Sequence, residues 1–337
     1  MKVLIAGGAG YIGSTVASAC LDSEITPIIL DNLSTGRLEF TENRVFYHGD
    51  ISDRKLLAHI FGEHQDIDAA VLSAASIIVP ESVREPVRYY RENVAKALDF
   101  VEELLFYGCQ RVIFSSTAAL YHPGPDFTVD ENSAFAPLSP YARTKAVVEG
   151  MLADIADATP LRTLSLRYFN PIGADPQLRT GLQIAHPTHA LGKLNEAKET
   201  GNEFHITGGD YPTRDGSGIR DYIHVWDLAQ AHIAALARFD SLFEQHKETS
   251  LAVNVGTGVG TTVFELLEAF KTVTGLDVPS SVTPRRPGDV VGAYTRSARA
   301  QEWLGWNAER SLEDGIRDTL RWFDVRAKKL PDLGTKP

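Results

Sequence analysis

The sequence of 337 residues lacks cysteine clusters, an excess of positive charge and long apolar runs. Its two cysteines, Cys20 and Cys109, show neither a metal-binding spacing nor a disulfide framework, so we expect a reducing, cytoplasmic location. The formal net charge of -11 disfavours non-specific binding to nucleic acid. The longest apolar stretch, around 69–79, is interrupted by serines and is too short to span a bilayer. We therefore expect no metal centre, and neither nucleic acid nor a membrane as a partner, which leaves a small-molecule ligand.

The composition is that of an ordinary globular protein, with 43% hydrophobic and 23% charged residues. Short apolar runs alternate with helical patterns in the first half of the chain. Strands are predicted at 2–6, 25–30, 45–48, 68–73, 111–115 and 161–167, and helices at 11–22, 53–62, 85–107 and 141–156. Such alternation indicates βαβ units, so the predicted fold class is α/β with a Rossmann-type, doubly wound parallel sheet.

The pattern changes after Asn170, where the chain becomes rich in Gly, Pro, His and Thr up to residue 218. One helix is predicted at 188–200, and regular patterns return at 219–238, 251–255, 261–274 and 311–324. We expect a nucleotide-binding domain over 1–170, with 219–240 packing back onto it. A smaller α/β substrate domain would cover 171–330, followed by a tail at 331–337 that is expected to be frayed. The ligand is expected between the two domains.

A glycine-rich turn, Gly-Gly-Ala-Gly-Tyr-Ile-Gly (7–13), joins the first predicted strand to the first helix. Gly7 and Gly10 would allow a tight turn and a close approach of the backbone to a pyrophosphate, while Gly13 would let the helix pack closely on the strand. The helix N-terminus adds free N–H groups and a favourable dipole. The alternative is a glycine-rich loop without a ligand, but the strand–turn–helix context favours a dinucleotide.

Two aspartates end the next two predicted strands. Asp31 stands where a carboxylate accepts hydrogen bonds from the adenine ribose and repels a 2′-phosphate, which favours NAD over NADP. Arg37 lies nearby and would weaken that preference, and Asp31 has the alternative role of a turn or cap residue. Asp50 is a candidate for the adenine edge, and capping a helix that begins near Asp53 is an equal alternative. The sequence thus predicts NAD as the cofactor.

The catalytic candidates are Thr117, Tyr141 and Lys145. Ser-Ser-Thr (115–117) ends a central predicted strand, at the edge where α/β sheets bind ligands, although an ordinary hydroxyl-rich turn is the alternative. Tyr141 and Lys145 lie one turn apart on one helix face, where the lysine charge would lower the tyrosine pKa from about 10. Tyr-x-x-x-Lys also occurs by chance, as an aromatic at a helix start beside a solvated lysine. Because this motif follows Ser-Ser-Thr in the chain, we favour the interpretation that Tyr141 transfers a proton beside a hydride acceptor.

These motifs together resemble the extended short-chain dehydrogenase/reductase family, and within it the UDP-hexose 4-epimerases. The likeness runs from Lys2 to about Trp322 and is carried by 7–14, 30–36, 49–51, 81–83, 89–94, 114–119 and 167–174. The most discriminating stretches are Gly-Asp-Tyr-Pro-Thr-Arg-Asp-Gly-Ser-Gly-Ile-Arg-Asp-Tyr-Ile-His-Val (209–225) and Pro-Arg-Arg-Pro-Gly-Asp (284–289). The resemblance implies an enzyme that interconverts UDP-galactose and UDP-glucose at C4 through a 4-keto intermediate, with NAD bound throughout.

The resemblance also implies roles for individual residues. Tyr141 would be base and acid at the sugar 4-hydroxyl, Lys145 would tune it and bind the nicotinamide ribose, and Thr117 would assist. The cofactor site would comprise Gly7, Gly10, Tyr11, Ile12, Gly13, Asp31, Asn32, Ser34, Asp50, Ile51, Ala74, Asn93, Ser115, Tyr141, Lys145 and Tyr168. The substrate site would comprise Thr117, Tyr141, Asn170, Thr188, His189, Arg220, Arg286 and Asp289. Members of the family form homodimers through two helices of each subunit, here near 88–107 and 141–156.

The identity of the substrate and the activity have alternatives. The stretch 185–192 differs from the family in the part that lines the uridine and the sugar. Ala293 would leave room for an N-acetyl group at the sugar C2, which makes UDP-GlcNAc an alternative substrate. A dehydratase would need a carboxylate pair where Ala118 and Ala119 stand, and a reductase would exchange its cofactor. Outside the enzymes, the alternative is a non-catalytic NAD-sensing protein, which would not need an intact Tyr141–Lys145 pair.

Overall fold

The computed structural model describes residues 1–285 and 290–333. The strands are β1 (Lys2–Ala6), β2 (Thr26–Asp31), β3 (Val45–His48), β4 (Ile67–Leu72), β5 (Arg111–Thr117), β6 (Thr128–Val129), β7 (Arg162–Tyr168), β8 (Asn170–Ile172), β9 (Phe204–Thr207), β10 (Ile219–His224), β11 (Ser250–Val255), β12 (Gly260–Thr262), β13 (Ser280–Thr283) and β14 (Tyr294–Thr295). The α-helices are α1 (Tyr11–Asp22), α2 (Arg54–Glu63), α3 (Val79–Arg84), α4 (Pro86–Tyr90), α5 (Lys96–Phe106), α6 (Pro140–Ala158), α7 (Ala190–Thr200), α8 (Val225–Gln245), α9 (Val263–Thr274) and α10 (Leu312–Lys329). Shorter helical turns lie at Leu38–Thr41, Arg91–Ala95, Ala118–Leu120, Ala300–Leu304 and Pro331–Leu333.

Seven parallel strands form the central sheet in the order β11-β7-β5-β4-β1-β2-β3. The order reverses between β1 and β4, and the crevice outside the carboxyl ends of the strands at such a point is where α/β sheets bind ligands. Val3, Leu4 and Ile5 of β1 have no exposed surface, because helices cover both faces of the sheet. The predicted doubly wound, Rossmann-type fold is confirmed.

Two apolar clusters cover the two faces of this sheet. One cluster joins α1 to α8, and includes Val16 of α1 and Leu228 of α8. The other joins α2, α5 and α6, and includes Leu57, Phe100 and Leu152. Residues 225–245 thus lie on the N-terminal sheet. β11 also belongs to this sheet as its edge strand, although its residues lie well beyond the predicted boundary at 170.

The helix predicted over 85–107 is interrupted by a π-helical turn at Arg91–Ala95. Such single turns contain an extra residue and are frequent at functional sites. The catalytic candidates lie on α6, whose start is set by Ser139 and Pro140. The Ser139 hydroxyl accepts a hydrogen bond from the Ala142 N–H at 3.1 Å, and Pro140 occupies the first helical position.

The remaining elements form a smaller α/β unit. β10 pairs with β8 in parallel and with β12 in an antiparallel manner, and β9 pairs with β13 in parallel. Its apolar cluster includes Leu194 of α7, Phe270 of α9 and Ile316 of α10. A capping box between Thr262 and Glu265 fixes the start of α9. None of the helices within residues 1–285 and 290–333 is long and apolar enough to cross a membrane.

Candidate active site

The glycine turn between β1 and α1 has no room for a side chain at Gly7, Gly8 or Gly13. A Cβ at Gly13 would lie 2.2 Å from the Gly7 carbonyl oxygen. Gly7 has a φ of +82°, and a Cβ there would lie 2.6 Å from the backbone nitrogen of Ala74. Gly10 is the N-cap of α1 and offers no side-chain cap, while no acidic residue stands in the first turn. The first N–H groups of α1 are therefore suited to an anion, and this cradle fits the pyrophosphate of a dinucleotide.

Tyr11 and Ile12, the two residues inside this turn, face different parts of the molecule. The Tyr11 hydroxyl donates to the Gly173 carbonyl at 2.7 Å, which joins the glycine turn to the smaller unit. Ile12 is half-buried against the apolar cluster under α1. The predicted pyrophosphate site is therefore tied to the smaller unit through Tyr11.

Asp31 ends β2 and is buried beside the glycine turn. Its carboxylate accepts hydrogen bonds from the N–H groups of Ala9 at 2.9 Å and Leu33 at 2.8 Å. Burial raises the pKa of Asp31, whereas these hydrogen bonds lower it. Asn32 and Ser34 follow in an exposed turn, closed by the Ser34 N–H to Asn32 Oδ1 at 3.0 Å. Asp31 thus braces the turn, and its oxygens keep lone pairs for ribose hydroxyls.

Asp50 follows β3 and pairs with Lys96 of α5, whose Nζ lies 2.7 Å from its Oδ2. Ser52 donates to the other oxygen through its N–H at 3.0 Å and its hydroxyl at 2.7 Å. Partial burial raises the pKa of Asp50, but these hydrogen bonds and the Lys96 charge lower it to about 2. Asp53 caps α2 by accepting from two N–H groups, so the capping alternative for Asp50 is wrong. Ile51 is buried in the core beside it.

Ala74, Ser115 and Tyr168 lie at or just beyond the carboxyl ends of β4, β5 and β7, along one edge of the sheet. Ser115 Oγ lies 2.6 Å from Ser73 Oγ and 3.0 Å from the Tyr168 hydroxyl. That hydroxyl lies 2.5 Å from Nε2 of His232 on α8. Burial lowers the pKa of His232 to about 4, so its imidazole is neutral at physiological pH. A chain of hydrogen bonds therefore links the carboxyl ends of β4, β5 and β7 to α8.

Asn93 lies in the π-helical turn and is buried. Its side chain accepts from the Ser76 N–H at 2.8 Å and donates to the Ser76 carbonyl at 2.9 Å. It also donates to the Thr144 hydroxyl of α6 at 3.1 Å. Asn93 thus ties the loop after β4 to the helix that carries Tyr141.

Tyr141 and Lys145 lie near the start of α6 and meet residues at the end of β5. Tyr141 shares a hydrogen bond with the Thr117 side chain. Lys145 is buried, and its Nζ donates to the Ser115 carbonyl at 2.7 Å. The same Nζ lies 4.7 Å from the centre of the Phe114 ring. The structure therefore brings together the three residues predicted to be catalytic.

The electrostatics of this pair differ from the prediction. Burial raises the pKa of Tyr141, and the hydrogen bond with Thr117 lowers it in part. Burial lowers the pKa of Lys145 to about 7, while Glu149 acts in the opposite direction. The predicted lowering of the Tyr141 pKa by Lys145 is therefore not found. The physical reason is that both groups are desolvated, so the lysine is itself only partly charged near neutral pH.

Three residues with contacts in this site escaped the sequence analysis: Ser73, Glu149 and His232. Glu149 follows Lys145 by one helical turn on the same face, a spacing that could have revealed it. Ser73 follows the apolar strand β4 in the way that Ser115 and its neighbours end β5. His232 is a lone histidine on a mostly apolar helix face, and that pattern carries no local signal.

The predicted substrate residues are spread over the smaller unit. Asn170 is half-buried at the start of β8, and Thr188 is exposed. His189 caps α7 by accepting from the Gly192 N–H at 3.2 Å. The Arg220 guanidinium donates to the carbonyls of Ile219 at 2.8 Å and Val291 at 2.7 Å. Within residues 1–285 and 290–333, none of these four forms a hydrogen bond with Tyr141 or Lys145. The two other candidates, Arg286 and Asp289, lie outside the described residues.

Comparison with known proteins places this site in a wider group. Residues 3–256 match the NAD dependent epimerase/dehydratase family. A UDP-glucose 4-epimerase of Azospirillum brasilense is 40% identical over 324 residues, which cover 95% of this chain and 91% of that protein. The crystal structure of UDP-glucose-4-epimerase from Stenotrophomonas maltophila, with bound NAD and formylated UDP-arabinopyranose, is similar with a TM-score of 0.91. It is 35% identical, and the match covers 97% of this chain and 99% of that one. The UDP-glucose 4-epimerase from Bifidobacterium longum, in complex with NAD+ and UDP, gives a TM-score of 0.88 at 30% identity, over 98% and 99% of the two chains.

Proposed function

Because this chain belongs to the NAD dependent epimerase/dehydratase family, we propose that it inverts C4 of a UDP-hexose and so interconverts UDP-galactose and UDP-glucose. One observation carries the proposal. Tyr141 and Lys145 meet Thr117 and Ser115 at the carboxyl edge of the sheet that also holds the glycine cradle. A proton-transfer group beside a dinucleotide cradle is what a reversible oxidation at a sugar carbon needs.

The proposed cofactor is NAD, with its pyrophosphate in the glycine cradle and its adenine ribose at Asp31. The buried carboxylate of Asp31 would repel a 2′-phosphate, which supports NAD over NADP. The adenine end would be lined by Asn32, Ser34, Asp50 and Ile51, and the nicotinamide end by Ala74, Asn93, Ser115 and Tyr168. When bound, NAD supplies the redox chemistry at the sugar C4 and ends each turnover in its starting state.

Tyr141 is the proposed base and acid at the sugar 4-hydroxyl. Since burial raises its pKa, the phenolate needs a positive charge nearby. Lys145 has a pKa of about 7 and is the group on the same helix face that can supply this charge near neutral pH. Thr117 shares a hydrogen bond with Tyr141 and is placed to pass the proton. The proton thus leaves and returns through one side chain, while the sugar presents first one face and then the other.

The UDP part of the substrate is proposed to stay anchored while the sugar turns. The candidates for this anchor are Asn170, Thr188, His189 and Arg220, together with Arg286 and Asp289, which lie outside the described residues. Arginine forks suit diphosphate oxygens. Arg220 already donates to backbone carbonyls, so its remaining N–H groups are the ones available to a diphosphate.

The rival chemistry of a 4,6-dehydratase is disfavoured by the turn after β5. Such a reaction needs carboxylates as acid and base next to the reacting sugar. Ala118 and Ala119 stand in that turn and offer no titratable group. Epimerisation needs one proton-transfer group, here Tyr141, together with the hydride acceptor, and is therefore the activity that these residues support.

We also propose a cytoplasmic homodimer. Leu98 of α5 and Val147 of α6 are 47% and 44% exposed, and Phe106 at the end of α5 is 78% exposed. Packing these two helices against their copies in a four-helix bundle would remove this apolar surface from water. Light scattering of the purified protein gives the mass directly, and a monomer at all concentrations would contradict the proposal.

The test of the activity is to incubate the purified protein with UDP-galactose, without added NAD, and to follow the formation of UDP-glucose. Conversion would support epimerisation and a retained cofactor. Conversion only after NAD is added would contradict tight retention. No conversion in either case would refute UDP-galactose as the substrate and make UDP-GlcNAc the next substrate to assay. The control is Y141F, purified in the same way.

A further inference from the structure

Glu149 is a buried carboxylate on α6 whose two oxygens are both occupied. Its side chain is 10% exposed, and that of Arg167 on β7 is 8% exposed. Arg167 donates from Nη2 to Oε2 at 2.7 Å, and from Nε to the two oxygens at 3.1 and 3.2 Å. Ser116 of β5 donates its hydroxyl to Oε1. Glu149 therefore fastens α6 to two neighbouring strands of the sheet.

The Ser116 contact lies between the two contacts of the catalytic pair. Along β5, Ser116 is flanked by Ser115, which accepts from Lys145, and by Thr117, which shares a hydrogen bond with Tyr141. Three successive turns of α6 thus meet three consecutive residues of one strand. A shift of the helix along its axis, or a rotation about it, would break all three contacts together. The carboxylate contact consequently sets the register of the other two.

Besides Lys145, charged and titratable groups lie on several elements of this site. They are Tyr141 and Glu149 on α6, Tyr168 and Arg167 on β7, and His232 on α8 beneath Tyr168. The end of β5 contributes the uncharged Ser115 carbonyl. Arg167 is paired with Glu149, and Tyr168 and His232 are neutral near pH 7, because burial raises the pKa of Tyr168 and lowers that of His232 to about 4. Burial lowers the pKa of Lys145 to about 7, and Glu149 is the charge that opposes this effect.

We propose that Glu149 is a positioning residue for the reaction, which holds α6 in the register that joins Lys145 to Ser115 and whose negative charge keeps Lys145 an ammonium ion. This inference rests on the proposed epimerase function, in which Lys145 supplies positive charge beside Tyr141. Glu149 acts through Lys145, and not on the sugar. A purely structural role would affect the stability of the fold and leave the protonation of Lys145 unchanged.

The first test compares the pH dependence of UDP-galactose epimerisation in E149Q, E149D and the wild-type holoenzyme. The wild-type rate should fall as the pH rises through the pKa of Lys145. In E149Q this alkaline limb should move down by about one pH unit, so kcat at pH 7 should fall about fivefold with a smaller change in KM. E149D keeps the charge and should restore most of the rate. The matched control is D154N, which removes an exposed carboxylate from the same helix and should follow the wild-type profile.

Two outcomes would overturn the role of the charge. One is an identical pH profile for E149Q and the wild type, and the other is an equal loss in E149Q and E149D. Because E149Q leaves Arg167 buried without its anion, that variant is prone to unfold. The double variant E149Q/R167Q removes both charges and is measured beside it. The same displacement of the alkaline limb is expected in the double variant, and an unshifted limb there would also refute the proposal.

A second measurement does not depend on activity. Protein labelled with ¹³C at the lysine Cε is titrated by NMR, and the Lys145 signal is identified by its absence in K145R. Its midpoint should lie near pH 7 in the wild type and about one unit lower in E149Q. If the wild type epimerises no sugar and the midpoint still moves, the proposed function fails while the influence of Glu149 on Lys145 stands. An unmoved midpoint in an active enzyme overturns the inference alone.

Discussion

Replacing Gly13 with alanine tests whether this glycine is required by the fold itself or only by the nucleotide. A Cβ at Gly13 would stand 2.2 Å from the Gly7 carbonyl oxygen and 2.9 Å from the Gly8 Cα, whereas ordinary contact begins at 3.4 Å. Both neighbours are backbone atoms, so no side chain can turn away to make room. The start of α1 must then move by about 1 Å from the turn, which is a case of overpacking.

Overpacking of this kind costs about 1–3 kcal/mol. With a fall in Tm of about 2–4 °C for each kcal/mol in domains of this size, nucleotide-free G13A should melt about 2–12 °C below the wild type. The same displacement opens the cradle, so G13A should also retain less NAD on purification. The melting temperature is measured by calorimetry, and the bound cofactor by its absorbance after the protein is denatured.

Gly10 provides the matched control. A Cβ there would lie 3.4 Å from the Gly7 carbonyl oxygen, and its φ of -80° suits alanine. Nucleotide-free G10A should have the same melting temperature as the wild type. It should nevertheless retain less cofactor if the pyrophosphate approaches this backbone closely. Equal melting of nucleotide-free G13A and wild type would refute the steric argument. Full cofactor content in G10A would refute the close approach.

Three further predictions concern the catalytic pair and the substrate. Y141F should lower kcat by about 10²–10⁴-fold while calorimetry shows unchanged binding of UDP-glucose, whereas Y107F, a tyrosine that follows α5 and stacks on Phe61, should keep the rate. Near-normal turnover of Y141F would refute the base assignment. K145M should remove one contribution to the pH dependence of the free energy of unfolding. The pKa of Lys145 is about 7 in the folded protein and about 10.4 in the unfolded chain. Between these pH values the unfolded state therefore binds one more proton than the folded state. Wild-type stability in urea should therefore rise relative to K145M over that interval, and parallel curves would contradict this. UDP-GlcNAc should be epimerised, because Ala293 is small where it packs beside Tyr121 and Phe169; a failure to turn it over would count against the predicted place of Ala293 at the sugar C2.

The elements that could be predicted from the sequence are those with a local signal. β1 ends and α1 begins at the predicted residues, because the apolar run stops at a glycine turn whose conformation requires glycine. The start of α6 follows from the Ser139–Pro140 pair, one a capping residue and the other suited to the first helical turn. Asp31 also has a local signal, because it ends the apolar run of the second strand.

The features that could not be predicted depend on contacts between distant residues. The 85–107 segment has one continuous helical pattern, whereas its π-helical turn contains Asn93, which contacts Ser76 and Thr144. The Arg167–Glu149 pair joins a strand to a helix, and neither residue signals the other in the sequence. The predicted lowering of the Tyr141 pKa by Lys145 was wrong for the same reason. Burial is a property of the assembled fold, and its effect exceeded that of the charges that could be identified along the helix.

The position of α8 and β11 in the N-terminal sheet has a consequence for synthesis on the ribosome. These elements are made last among those that complete the sheet, yet they cover a face and an edge formed by the first 168 residues. Until they emerge, apolar side chains such as Val16 and Leu166 lack their partners from the same cluster. A nascent chain must therefore carry an open apolar surface while about 90 further residues are translated, which is the period when chaperones protect such chains. A gene fragment that ends at residue 170 would leave that surface uncovered permanently.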